Sequence, residues 1–274
     1  MSALDPVLLG QLTLLLMVIG AFAGVVAGLL GVGGGIVLVP AYFYLFTALG
    51  YENAQLMQIC LATSLATIIV TSARSVQSHH RRGAVEWPIL KSWALAIALG
   101  AILGVLTAAA LRSVVLQGIF GVLGVLIGLW LGLGRTEFRL GQKMPGGLPR
   151  LGYGGGIGFL SVLMGVGGGS FAVPLMSVYN VPIHRAVATA AGFGMLIAVP
   201  SVTAFLFVPI ADAPPLTVGA VNLPAFGIVV AMTLITAPLG ARLAHALDPK
   251  PLKRVFAVFI IIMALNMLRK ALGW

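Results

Sequence analysis

Two stretches of this chain carry residues arranged to hold a ligand. They are GLLGVGGGIVLVPAY, Gly28 to Tyr42, and VLMGVGGGSFAVPLM, Val162 to Met176. Gly31 and Gly33, Gly34 and Gly35 in the first match Gly165 and Gly167, Gly168 and Gly169 in the second, and Pro40 matches Pro174. Glycine and proline interrupt helices. A helix that restarts after the break leaves its first N–H groups unpaired and carries a partial positive charge. Facing lipid, those groups are costly. Facing an anion in a protein cavity, they become its ligands. Helices restarting near Ile36 and Ser170 make Gly33, Gly34, Gly35, Gly167, Gly168, Gly169 and Ser170 candidate anion-binding residues. The alternative is close helix packing, as the four-residue spacing of Gly20, Gly24 and Gly28 and of Gly124, Gly128 and Gly132 indicates elsewhere. The GVGGG spacing does not fit one helix face. A nucleotide-binding loop is excluded, because Ile36 and Ser170 stand where its last glycine belongs and no lysine follows.

Polar residues inside apolar runs are the second source of ligands. Thr63, Ser64, Thr67 and Thr71 lie in QICLATSLATIIVTSAR, with Thr63, Thr67 and Thr71 on one helical face. Thr63 and Ser64 either bind oxyanion oxygens or bond to backbone of their own or a neighbouring helix. Thr189 is the second-half counterpart of Thr63, and Asn222 either lines the same cavity or caps a helix. Arg185 is either a fixed cation for the substrate or, as its place at a helix end favours, a snorkelling basic residue. Arg242 and His245 read the same way, and His79 and His80 beside Arg81 and Arg82 read as a solvated loop. The six acids, Asp5, Glu52, Glu86, Glu137, Asp212 and Asp248, all lie in loops or tails. Cation and proton antiporters usually place a carboxylate within the membrane, so a small anion suits this chain better. No nucleophile–base set, acid pair or histidine metal site exists, so no catalytic residue, metal or cofactor is expected. Cys60 alone rules out an internal disulfide.

The elements that must position these residues are membrane helices. Of 274 residues, 60% are hydrophobic and 8% are charged, against about 25% charged in soluble domains. The mean hydropathy is +1.11. The net charge of +10 sits in short loops beside spans, so nucleic acid is excluded as a partner. The lipid bilayer and a small anionic substrate are the expected partners, and a homodimer is allowed. Ten apolar segments fall at about 7–30, 32–48, 54–74, 88–111, 114–133, 152–165, 169–180, 185–208, 221–247 and 252–272. A helical crossing needs about 20 residues. The second, sixth and seventh are too short, and each adjoins a glycine break. This predicts an all-α multi-pass membrane protein, with a broken or re-entrant hairpin and three full spans in each half. The first apolar run is expected to be a retained span, since a basic signal region is lacking and Asp5 precedes it.

The halves repeat. LATS, Leu61 to Ser64, matches VATA, Val187 to Ala190, and GAILGVLTAAAL, Gly100 to Leu111, matches TAPLGARLAHAL, Thr236 to Leu247. Loop charges then set orientation. The loop before the fourth segment holds Arg74, Arg81, Arg82 and Lys91, whereas its counterpart, Val208 to Ala220, holds no Lys or Arg and one Asp212. The next loop reverses, with Arg112 alone in the first half and Lys250, Lys253 and Arg254 in the second. Equivalent loops face opposite sides, which predicts an inverted-topology repeat. The divisions are 1–134, a first repeat; 135–151, a basic cytoplasmic linker; and 152–274, a second repeat. Both termini fall outside, where Arg269 and Lys270 conflict with the charge rule. An inverted repeat with matched helix breaks is the signature of a secondary transporter.

With these motifs the chain resembles the TauE/SafE sulfite exporter family, a permease family for sulfur-containing organic anions. The likeness rests on GLLGVGGGIVLVPAY, LMGVGGGSFAVPLM and LATSLATI and runs over essentially the whole length. It implies transport of sulfite, sulfoacetate or related sulfonates across the bacterial inner membrane, with export foremost. An anion channel or an uptake permease is the alternative. Ala190 stands where a serine would complete the second LATS, so a symmetric hydroxyl pair is not expected to be complete.

Overall fold

A computed structural model of the chain describes residues 6–30, 34–133, 139–246 and 249–273. Gly31 and Gly33, and the acids Asp5, Glu137 and Asp248, lie outside the described residues, as do the side chains of Arg242 and His245. The described residues form ten helices: α1 (Pro6–Leu30), α2 (Gly35–Ala48), α3 (Leu56–Arg81), α4 (Trp87–Ala110), α5 (Ser113–Leu133), α6 (Gly147–Met164), α7 (Gly169–Val178), α8 (Ile183–Phe205), α9 (Leu223–Ala246) and α10 (Pro249–Ala271). Six of these are long and apolar enough to cross a membrane. At 1.5 Å per residue, α2 reaches only about 21 Å and α7 about 15 Å, against a hydrocarbon layer of about 30 Å.

Helices α3 and α8 occupy the middle. Nearly every residue of α3 from Leu56 to Ile68 is buried, and α8 buries a run from Ala188 to Gly194. They pack on each other. Around them α1 packs on α9, α4 on α6 and α5 on α10, while α2 lies on α3 and α7 on α8. Glycines let the outer pairs approach. A Cβ on Gly24 would overlap Thr236, one on Gly100 would overlap the Gly155 carbonyl, and one on Gly128 would stand 2.5 Å from Ile261. That is the packing use of small residues in membrane helices. The opposite face of α4, with Leu95, Leu99, Leu103 and Leu106, is exposed and apolar, as a lipid-facing stripe must be.

The two ends of the molecule are tied by hydrogen bonds between halves. Just before α3, Gln55 Nε2 donates to Pro209 O at 3.2 Å and Gln55 Oε1 accepts from Ala211 N at 3.1 Å, just after α8. At the other end Arg185, in the first turn of α8, pairs with Glu86, just after α3. Helices α3 and α8 are therefore antiparallel. Leu140 N donates to Val178 O at 2.8 Å and Asn180 Nδ2 to Gln142 Oε1 at 3.0 Å. A chain running straight through α6 and α7 would carry Val178 about 40 Å from Gly147. The few residues from Leu140 to Gly147 span at most about 25 Å, so α7 must fold back along α6.

Two boundaries differ from expectation. Helix α3 continues past residue 74 to Arg81, so His79, His80 and Arg81 form its last turn rather than a loop. A polar tail can extend beyond the apolar layer as helix, and cations suit the negative end of the dipole. Helix α6 starts at Gly147, before the apolar run, with Pro149 in the first turn where no N–H bond is lost. In the expected loop between α8 and α9, Thr217–Val218 and Val221–Asn222 pair as a minimal antiparallel hairpin.

Candidate functional site

The first break ends at Gly34, whose φ of +72° is left-handed and whose carbonyl accepts from Val37 N and Leu38 N at 3.0 and 3.2 Å, starting α2. Few residues other than glycine adopt that backbone cheaply. In the second break, Gly165, at φ +62°, closes α6. Gly165 N bonds Val162 O and Val166 N bonds Ser161 O, both at 2.9 Å, the paired pattern that ends helices on a left-handed glycine. Gly168 then leads into α7, its carbonyl accepting from Ala172 N at 2.8 Å. Pro40 and Pro174 each fall six residues into their short helix. Each removes the N–H that would bond the carbonyl four residues earlier, at Ile36 and Ser170. Both restarting helices therefore leave backbone amides and a carbonyl unpaired by the helix, next to the break.

The two breaks meet. A Cβ on Gly35 would overlap the Gly165 carbonyl and stand 2.9 Å from Val166 Cα. This contact joins the start of α2 to the end of α6, halfway along the chain from each other. Ser64, on α3, donates to the Gly165 carbonyl at 2.7 Å and is fully buried. Ile68, one turn on, lies 3.0 Å from the same Gly35 position. Ser161 and Ser170 flank the second break with buried hydroxyls that have no hydrogen-bond partner among the described residues. Unpartnered buried hydroxyls in a native site call for a ligand, a water or a second conformation.

The structure places the remaining candidates around this centre in other tasks. Thr63 Oγ1 accepts from Asn222 N at 3.0 Å, and Thr189 Oγ1 accepts from Glu86 N at 3.0 Å. Each of these matched threonines thus takes the amide of the residue that opens a helix in the opposite half, α9 or α4. Asn222 is a helix cap: its Oδ1 accepts from Ala225 N at 3.0 Å, and its Nδ2 donates to Pro215 O and Thr217 Oγ1. Arg185 is half exposed at the molecular end and paired with Glu86. Gly168 is seated against α8, where a Cβ would lie 2.6 Å from Phe193 Cβ, so packing alone requires glycine there. Gly167 and Gly169 complete the turn into α7, with Gly169 buried. Thr67 and Thr71 bond back to Thr63 O and Thr67 O at 3.1 and 3.2 Å. Sequence reasoning missed Ser161, the one hydroxyl in FLSVLMG, and Tyr42 of α2, whose hydroxyl lies 3.4 Å from Thr67 Oγ1. It also missed Glu86 as the shared partner of Thr189 and Arg185.

The profile of the family described as sulfite exporter TauE/SafE matches residues 16–267. A probable membrane transporter protein of Haemophilus influenzae is 32% identical over 94% of this chain and 98% of its own length. One of Methanocaldococcus jannaschii is 23% identical over 93% of this chain and 94% of its own. One of Bacillus subtilis is 29% identical over 64% of this chain and 71% of its own. No solved structure matches. All three carry the name of probable membrane transporter, and six membrane-capable helices among the described residues make the chain a multi-pass membrane protein. The chain belongs to the sulfite exporter TauE/SafE family of membrane transporters.

Proposed function

We propose that this protein is a secondary transporter of the bacterial inner membrane. It moves a small sulfur-containing anion, such as sulfite, sulfoacetate or a related sulfonate, by alternating access, and export is the direction. The anion sits between the two glycine breaks, held by the first amides of α2 and α7 and by the Ser161 and Ser170 hydroxyls, with Ser64 joining them once its bond to the Gly165 carbonyl is released. The observation that carries this is the meeting of the breaks, Gly35 on Gly165 and Val166, between α3 and α8. Helix N-termini at a buried midpoint favour negative charge. In this state the tips touch, so the anion gains the site only when one hairpin withdraws.

The fold lends itself to that motion as an inverted repeat of 1–134 and 152–274, joined by 135–151. Exchanging α1–α5 for α6–α10 maps the α1–α9 pair onto α6–α4, and returns α3–α8 and α5–α10 to themselves. The antiparallel course of α3 and α8, and the matched Thr63 and Thr189 bonds, support opposite orientation of the halves. Among the described residues, Glu52, Glu86 and Asp212 stand outside the helices, which favours an anion over a cation as cargo.

Purified protein in liposomes tests this. Labelled sulfite and sulfoacetate should move saturably, and unlabelled anion on the far side should accelerate the flux. A channel would show no such acceleration. Flux equal to that of empty liposomes for both anions would overturn the proposal.

A further inference from the structure

A polar cavity lies away from the glycine breaks. It has a volume of about 290 Å³ and sits where the end of α2, the turn between α4 and α5 and the end of α10 converge. Its walls include Arg112, Lys270, Glu52, Thr47, Ser113 and Gln117. This is the end where Gln55 meets Ala211, so charge counting assigns it to the outer side. There Arg112 and Lys270 are misplaced by the rule that basic residues collect inside. A basic residue kept on the disfavoured side needs another reason.

The geometry supplies one. Lys270 Nζ is held over the rings of Phe43 and Tyr44, 5.2 and 5.0 Å from their centroids, a cation–π seat at the cavity wall. Arg112 forms no ion pair among the described residues, and neither does Glu52, the one acid in the lining. Two cations therefore stand against one carboxylate in the lining, with no ion pair between them among the described residues. Thr47 Oγ1 is buried with no hydrogen-bond partner among the described residues. Ser113 Oγ accepts from Met57 N at 3.0 Å, which leaves its proton free to donate, and Gln117 is buried beside it with Nε2 at 3.5 Å. The lining offers positive charge and donors, the two things an oxyanion requires. The volume lies near the lower end of the ~300–1,000 Å³ range of small-molecule pockets.

We propose that this cavity is an oxyanion-binding vestibule on the outer face, in which Arg112 and Lys270 hold a sulfate- or sulfonate-class group beside the Thr47, Ser113 and Gln117 donors. Its place on the transport route rests on the anion-transport proposal above; its binding of an oxyanion does not. The phosphodiester of an anionic lipid offers the same chemistry as a free anion. The test uses a single cysteine at Val114, which is exposed and lines the cavity. The native Cys60 is buried and does not compete for a thiol reagent.

Maleimide labelling of V114C is timed in detergent with sodium sulfate or with sodium chloride of equal ionic strength. It is then timed in nanodiscs of phosphatidylglycerol or of phosphatidylcholine. Selective slowing by sulfate identifies a free-anion site, and selective slowing by phosphatidylglycerol identifies a headgroup site. Either effect should weaken about tenfold or more in R112Q, in K270Q and in the double variant that combines them. No selective slowing in either arm, or slowing that persists unchanged in the double variant, overturns the vestibule. Liposome flux of sulfite, run in parallel, keeps the two ideas apart. Flux without protection at V114C removes the vestibule alone, and protection without flux removes the transport proposal alone.

Discussion

Replacing Gly35 by alanine probes the junction of the two breaks. The added methyl would overlap the Gly165 carbonyl, approach Val166 Cα to 2.9 Å and meet Ile68 Cδ1 at 3.0 Å. Ile68 can turn aside, but the other two atoms are backbone of a turn fixed by the Gly165 and Val166 hydrogen bonds. Relief requires the hairpin tips to separate. Overpacking of a tight site costs about 1–3 kcal/mol. At about 2–4 °C per kcal/mol for a chain of this size class, the apparent Tm in detergent should fall by roughly 2–12 °C. Gly118, on α5 with no neighbour within 4 Å of a Cβ, is the control; alanine there should be neutral or gain up to about 1 kcal/mol from helix propensity. Thermal unfolding and sulfite flux of both variants decide the matter. Wild-type Tm and flux in Gly35→Ala would refute the contact and the reasoning built on it.

Three further outcomes follow from named contacts. Ser64→Ala leaves the buried Gly165 carbonyl without its side-chain donor and should cost about 1–3 kcal/mol, read as a lowered Tm, with Ser64→Thr restoring part of it. Thr63→Val and Thr189→Val should destabilise by similar amounts of about 1–3 kcal/mol, because each strands one helix-opening amide; a serine at either position should recover most of the loss, and unequal recovery would speak against matched roles. Cysteines at Gly83 and Ala213 should react with an impermeant reagent from opposite sides of the membrane, and labelling of both from one side would contradict the assigned topology.

The helices were legible because lipid dictates their length and polarity, and the two breaks because glycine and proline have no ordinary place in such helices. The fate of each hydroxyl was not. Thr63 and Thr189 look like ligand residues in isolation, and their partners, Asn222 N and Glu86 N, are 159 and 103 residues away. Only the fold shows those oxygens to be in use. Gly35 and Gly168 look alike in their motifs, yet one touches the opposite break and the other packs on Phe193. The tail of α3 was hidden for a different reason. SARSVQSHHR is polar, and hydropathy cannot tell a helix standing in water from a loop. Arg269 and Lys270 contradicted the charge rule in the sequence, and only the fold shows that Lys270 lines a cavity together with Arg112.

The central claim is that a small anion lies between the two glycine breaks. Selenite has the shape and charge of sulfite and scatters anomalously, so a structure of the selenite-bound protein in lipid locates it directly. The account predicts an anomalous peak between the start of α2 and the second break, within hydrogen-bond distance of the Gly35 or Ile36 amide and of the Ser64 or Ser170 hydroxyl, with Gly35 and Gly165 moved apart. Selenite bound elsewhere in a protein that transports it, with Gly35 still seated on Gly165, would contradict it.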